Sequence, residues 1–376
     1  MRHRVWVLGA PDPEMELIES ILRACGEHVE YATVWRDGVR RRVTPAEAYA
    51  ADVEIGEGLR GLRATAYMVE CAPAVLVGSS VDGIDWAGEA ITIDHHRPGD
   101  PGYGRPPEEF LPASSLGQVI AVLGQVTTYP AEWQRVAVPR HPHWCGAIEL
   151  HRGVWVARTA GEEGDPGQDD DETATAAVIP AEYVLAAAAD HCLAAAYRGE
   201  CPGVDPDALM RWRVESRAQW QRRPVEAVLA DVERAREALR SAPVVVLSHR
   251  HIERTTQHCF DGISCAVDLD GQGICGCACD GCTGQAELVV RWERVARDMR
   301  GRHVPELPEA SAREGICFVA DGLPGRDGRV KIVCQSGTPE QIRAFMTVWA
   351  PAQGLVDIYG DPERGFAGGY LQEGTR

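Results

Sequence analysis

"EAITIDHHRPGDPGYG", Glu89 to Gly104, decides how this chain is read. Apolar or strand-forming residues, Ala90 to Ile93, run directly into Asp94, His95 and His96, and Pro98 and Gly99 then break the chain. One carboxylate and two imidazoles at the end of a buried strand are costly unless something pairs with them. A metal ion is one such partner. A surface turn is the plainer alternative.

The flanking sequence repeats the strand-then-polar pattern. Val5 to Leu8 reads as a short buried strand that stops at "GAPDPE", and Met15, Leu17, Ile18, Ile21 and Leu22 follow at helical spacing until Gly26. "HVEYATV", Ala66 to Val69 and Ala74 to Val77 read as further strands, and Leu116 to Leu123 as a helix. Strands alternating with helices predict an α/β domain with a mostly parallel sheet, whose functional groups gather at the carboxyl ends of strands. The acidic, Gly-rich stretch from Arg158 to Thr175 reads as a loop, and an Ala-rich helix follows from Ala181 to Arg198. A second α/β unit begins at "PVVVLSH" and resumes at "GICFVADG", "VKIVCQS" and "LVDIYGD". The expected organisation is a metal-binding domain over 1–204, a helical connector over 205–240, and a smaller α/β domain over 241–376 with a Cys-rich insertion at about 250–290.

Composition narrows the function. The formal net charge is −18, which repels bare polyanions and disfavours long duplex nucleic acid as a partner. Lys331 is the sole lysine, which removes a P-loop Gly-Lys pair and most Schiff-base chemistry. No apolar run approaches the ~20 residues that span a bilayer. "MRHRVWVLGAPDPE" lacks the apolar core of a signal peptide, so no membrane partner and a cytoplasmic location are expected.

Carboxylates recur at the strand ends. Asp12 and Glu14 follow the first strand, Glu70 follows "AYMV", and Asp190 and His191 lie in the Ala-rich helix. With Asp94, His95 and His96 they form an oxygen-rich, partly imidazole set that suits one or two Mn²⁺ or Mg²⁺ ions. Ser114 and Ser115 read as a cap on the following helix.

The segment "ITIDHHRPGDPGYG … FLPASSLGQVI" resembles the signature of the DHH phosphoesterase superfamily. The family's first motif, Pro-Asp-x-Asp, is matched by "PDPE", with Glu14 in place of the second Asp and Leu8 and Gly9 where an upstream His is usual. Glu70 stands where a strand-end Asp is usual; an alternative alignment places Gly78 there. The resemblance implies that Asp12 binds one metal and Glu14 the other, that Glu70 bridges them, and that His95 and Asp190 complete the ligand set of the second metal. It further implies that Asp94 orients His95 and that His96 faces the substrate phosphate. In this superfamily a second domain carries a Gly-rich loop; "YGDPERGFAGGYL" would supply Arg364 for a phosphate and Gly368 and Gly369 for backbone approach, with Tyr370 where His is frequent. The resemblance covers residues 1–200 well and 304–376 loosely.

The implied function is metal-dependent hydrolysis of a nucleotide, short oligonucleotide or cyclic dinucleotide. The alternative is a catalytically degenerate DHH-fold protein that binds a nucleotide or a protein partner. Separately, "HCFDGISCAVDLDGQGICGCACDGC" holds His258, Cys259, Cys265, Cys275, Cys277, Cys279 and Cys282, and thiolates so close together suit a structural Zn²⁺.

Overall fold

The computed structural model describes residues 3–45, 47–49, 64–72, 89–126, 129–139, 148–158, 173–241, 244–246, 266–267, 273–274, 289–293, 306–324 and 329–371. The protein is mixed α/β, with one parallel sheet and several antiparallel ones. It divides into two compact units, Met1–Cys192 with Gly199–Arg222, and Leu193–Arg198 with Arg223–Arg376.

The first unit is built on β1 (His3–Leu8), whose Val5, Trp6, Val7 and Leu8 are all buried. A run apolar on both faces is what a central parallel strand requires. Helix α1 (Pro13–Ala24) follows, with Asp12 as N-cap, Pro13 in its first turn, and Met15, Ile18, Ile21 and Leu22 on its buried stripe. Gly26, with φ 73°, ends the helix region as its position predicts.

"HVEYATV" is not one strand. β2 (Val29–Tyr31) lies parallel to β1, whereas β3 (Thr33–Arg36) turns away into a hairpin with β4 (Val39–Arg42). Asp37 and Gly38, both at positive φ, form its two-residue turn, the geometry that matches strand twist. The parallel sheet is completed by β5 (Ala64–Val69) and β6 (Glu89–Ile93), in the order β2-β1-β5-β6. The expected strand at Ala74–Val77 and Gly78 lie outside the described residues.

The Asp94-His95-His96 segment leads to α2 (Phe110–Ala113) and α3 (Ser115–Val126). Ser114 caps α3, its Oγ accepting from Gly117 N at 3.0 Å. An antiparallel sheet ordered β7-β10-β9-β8 was not expected from the sequence; it consists of β7 (Arg135–Pro139), β8 (Ile148–His151), β9 (Val154–Ala157) and β10 (Thr173–Val178). The last residues of the expected acidic loop thus belong to a strand. Helix α4 (Ala181–Tyr197) kinks at Cys192, with φ −152°, directly after Asp190 and His191. Helix α5 (Pro206–Gln221) lies in the first unit, and α6 (Val225–Ser241) in the second.

In the second unit, β11 (Val244–Val246) leads the sheet order β11-β14-β15-β16-β18-β17. The short strands β12 (Ala266–Val267) and β13 (Gly273–Ile274) pair with each other. The larger sheet continues with β14 (Val289–Glu293), β15 (Phe318–Pro324), β16 (Val330–Gln335), β17 (Leu355–Asp361) and β18 (Phe366–Leu371); α7 (Leu307–Glu314) and α8 (Pro339–Ala344) lie between its strands in the chain. His258, Cys259, Cys265, Cys275, Cys277, Cys279 and Cys282 lie outside the described residues. No helix among the described residues is long and apolar enough to cross a membrane.

Candidate metal centre

Sheet register builds the site. Leu8 pairs with Val69, and Val69 with Ile93, so Gly9, Glu70 and Asp94 leave the same edge of the parallel sheet side by side. Gly9 N donates to Val69 O at 2.9 Å, and Glu70 N to Ile93 O at 3.0 Å. A Cβ on Gly9 would lie 2.3 Å from Glu70 O, so only glycine permits this approach. Glu70 itself has φ 51°, a conformation that costs a non-glycine residue ~1–3 kcal/mol and clusters at functional sites.

Asp94 is fully buried, and its Oδ1 accepts from His95 N at 2.7 Å, His96 N at 3.0 Å and His96 Nδ1 at 2.8 Å. Its Oδ2 accepts from Tyr49 Oη at 2.6 Å. Burial alone would raise its pKa, but the His96 bond and charge, with help from Tyr49, bring it down to about 2. The ionised carboxylate orients the ring of His96 rather than that of His95, which corrects the role implied by the resemblance. The physical reason is the turn: it places Asp94 Oδ1 under three N–H groups of the next two residues. With Nδ1 donating to this carboxylate, a neutral His96 ring would keep its lone pair on Nε2.

His95 is held from α3. Ser115 N lies 3.1 Å from His95 Nδ1, and His95 Nε2 lies 2.7 Å from Asp190 Oδ2. The His95 ring stacks on His96 at 4.4 Å and meets His191 edge-on at 5.1 Å. Gly102 closes the turn, its N donating to Asp94 O at 3.0 Å; a Cβ there would meet His95 Cβ at 2.7 Å.

Glu70, His95, His96 and Asp190 each offer one ligand atom, and these atoms all lie within 4.8 Å of one another. Comparison of the chain with protein-family models, with curated proteins and with solved structures finds no match. The site is therefore read from its own chemistry.

Asp12 and Glu14 stand beside this group with other duties. Asp12 Oδ1 accepts from Met15 N at 2.8 Å as the cap of α1, and Glu14 Oε1 accepts from Leu116 N at 3.1 Å at the start of α3. Burial and the Asp190 charge push Asp12 up to about 6 and Glu14 well above the carboxylate range. Burial pushes Glu70 up to about 8, against the pull of His96 and with repulsion from Asp190, Asp12 and Asp94. Among the described residues, Glu14 Oε2 and Glu70 Oε1 are buried without a hydrogen-bond partner. Oxygen atoms so placed fit a cation, because a bound positive charge relieves both desolvation and mutual repulsion.

The C-terminal expectations fare differently. "YGDPERGFAGGYL" forms the β17–β18 hairpin, but Gly368 and Gly369 lie inside β18, opposite Val333 and Ile332 of β16. Their lack of side chains makes room for Tyr359 Oη, 2.5 Å from a Cβ at Gly368, and for Leu355. They are glycines within a strand rather than in a loop. Arg364 lies in the hairpin turn with its guanidinium 5.2 Å from the Phe366 ring centre.

Ser115 and Gln118, whose Nε2 donates to Asp94 O at 3.0 Å, support the site from within the quoted "FLPASSLGQVI", and Tyr49 supports it from outside every quoted motif. The Ser pair signalled a helix cap, and Ser115 adds a contact to His95. Tyr49 gave no signal.

Proposed function

We propose that the chain is a DHH-type phosphoesterase that uses a divalent cation to hydrolyse a nucleotide, short oligonucleotide or cyclic dinucleotide. The observation that carries this reading is the meeting of Glu70, His95, His96 and Asp190 at the carboxyl edge of a parallel sheet, with Glu70 Oε1 buried and lacking a hydrogen-bond partner among the described residues. Two carboxylates and two imidazoles suit Mn²⁺, and the oxygen atoms of Glu14 and Asp12 nearby favour a hard ion such as Mg²⁺ as well. The chemistry such an ion supplies is Lewis-acid polarisation of a water and of a phosphoryl oxygen.

The chain's own residues prepare the site. Asp94 turns the Nε2 lone pair of His96 outward from its Nδ1 bond. Ser115 fixes His95 at Nδ1, where its Oγ lies 3.4 Å away and can accept from Nδ1–H, so that the Nε2 lone pair is offered beside Asp190 Oδ2. Glu70, pushed up to about 8, holds a proton at neutral pH in the metal-free protein and gives it up when a cation is bound. Arg364, in the second unit, is proposed to capture substrate phosphate, and the cysteine cluster to hold a structural Zn²⁺.

The second reading, nucleotide or partner binding without hydrolysis, is favoured by the cap roles of Asp12 and Glu14. Oxygens spent on Met15 N and Leu116 N leave fewer for a second ion. Hydrolysis of a panel of mononucleotides, short oligonucleotides and cyclic dinucleotides with Mn²⁺ or Mg²⁺ tests the choice, with His95→Ala as control. Metal-dependent turnover that the control lacks supports the enzyme. A ligand-induced rise in Tm without turnover supports the binder.

A further inference from the structure

Forty-five residues before Asp94, Tyr49 sits on a short turn that the chain fastens twice. Ala48 N donates to Thr44 O at 3.0 Å, and Ala48 O accepts from Ala72 N at 3.1 Å. The second bond ties the turn to the segment immediately after Glu70. The Tyr49 ring packs on the cluster formed by Val5, Val7, Ala66 and Met68, and the Arg97 guanidinium lies 3.7 Å from its centre on the outer side. Packed against this cluster and beside Arg97, the ring carries a hydroxyl that donates to Asp94 Oδ2 at 2.6 Å.

Asp94 divides its two oxygens unequally. Oδ1 takes three N–H donors, whereas Oδ2 takes the Tyr49 hydroxyl alone among the described residues. A buried carboxylate keeps its ionised state and its rotation only while both oxygens are satisfied.

We infer that Tyr49 is a positioning residue: through Asp94 it fixes His96 in the Nδ1–H tautomer and so keeps Nε2 as the nitrogen offered to a cation. This rests on the metal reading above, and it adds a residue from outside every motif that supports that reading. It also links the two strand ends, since the turn that carries Tyr49 is bonded to the Glu70 segment while its hydroxyl is bonded to the β6 segment. Carboxylates that orient metal-bound imidazoles are worth about 10–100-fold in metal affinity, and a group one bond further out is expected to be worth about 3–10-fold.

The test compares wild type with Tyr49→Phe, which removes one oxygen. Long-range ¹H–¹⁵N NMR of the metal-free proteins reads the His96 tautomer, and Mn²⁺ titration followed by EPR reads affinity. The expected result is a pure Nδ1–H His96 in wild type, a mixture of tautomers in Y49F, and Mn²⁺ affinity weaker by about 3–10-fold with the fold retained by circular dichroism. An unchanged tautomer, or an unchanged Mn²⁺ affinity, overturns the inference. If wild type binds no Mn²⁺, the metal reading falls, and the tautomer alone decides the role of Tyr49. Should Y49F not fold, wild type still answers: the Tyr49 hydroxyl proton must exchange slowly with water, and a freely exchanging one overturns the inference.

Discussion

His96 Nδ1 donates to Asp94 Oδ1 at 2.8 Å, and the same oxygen receives the backbone N–H of both His95 and His96. One carboxylate thus shapes the turn and sets the tautomer of the ring beside it. Asp94→Asn keeps the shape of the group but removes its charge. Its Mn²⁺ affinity is expected to fall by about 10–100-fold with a small change in Tm. Mn²⁺ titration of D94N against wild type measures this, and equal affinities would show that Asp94 serves the turn only.

Acidity gives a second expectation. Glu70 is pushed up to about 8 and Asp12 to about 6, both by burial first, whereas in the unfolded chain both titrate near 4.5 and 3.8. The folded state therefore binds more protons between these values, and its stability falls as pH rises from about 4 towards 8. A cation that replaces those protons offsets the loss. The Tm of EDTA-treated protein should fall between pH 5.5 and 8, and the rise in Tm produced by Mn²⁺ should be larger at pH 8. A metal-free Tm that is flat across this window would contradict the burial of these carboxylates.

Glu14 separates capping from charge. Its Oε1 takes Leu116 N–H, and its pKa lies well above the carboxylate range because of burial and the Asp190, Glu70 and Asp12 charges. An amide keeps the Oε1 acceptor and removes the charge that burial and the neighbouring carboxylates disfavour. Glu14→Gln should leave metal-free stability nearly unchanged, while Glu14→Ala should lose about 1 kcal/mol or more as the start of α3 loses its acceptor. Urea denaturation of both variants reads the difference; equal losses would mean that the charge, rather than the acceptor, matters.

Gly9→Ala probes the sheet edge. The added Cβ would sit 2.3 Å from Glu70 O, and backbone cannot swing aside as a flexible side chain does. A cost of about 1–3 kcal/mol in urea denaturation is expected, together with weakened Mn²⁺ binding, because Glu70 must move. A stable G9A that binds Mn²⁺ normally would show that the close approach of the two strand ends is dispensable.

Much of the first unit is legible because local signals agree. Val5 to Leu8 is apolar throughout, Asp12 and Pro13 announce α1, Gly26 ends it, and Ile93 gives way at once to Asp94. What is not legible depends on distant partners. Nothing near Tyr49 marks it as a hydrogen-bond donor to Asp94, and nothing near Glu14 marks it as the acceptor for Leu116 N, 102 residues on. "HVEYATV" reads as one strand because every residue tolerates extension; the split at Ala32 arises because Ala32 N bonds back to Leu8 O while β3 finds β4. Among the described residues strands β7 to β10 pair only with one another; β7 and β10 do alternate, with Val136 and Val138 and Ala174, Ala176 and Val178 on the packed face, but alanines beside threonines make that alternation a weak apolar signal. Gly368 and Gly369 resemble a loop in composition, yet Tyr359 and Leu355 need the space they leave inside a sheet.

The central claim is that Glu70, His95, His96 and Asp190 hold a divalent cation. Mn²⁺ titration at pH 7.5, on protein first stripped with EDTA, tests it most directly when wild type is run beside Glu70→Gln and His95→Ala. The account predicts saturable binding to wild type, with both variants losing at least about 100-fold in affinity while remaining folded. Failure of wild type to bind Mn²⁺, or binding that survives both substitutions unchanged, would contradict it.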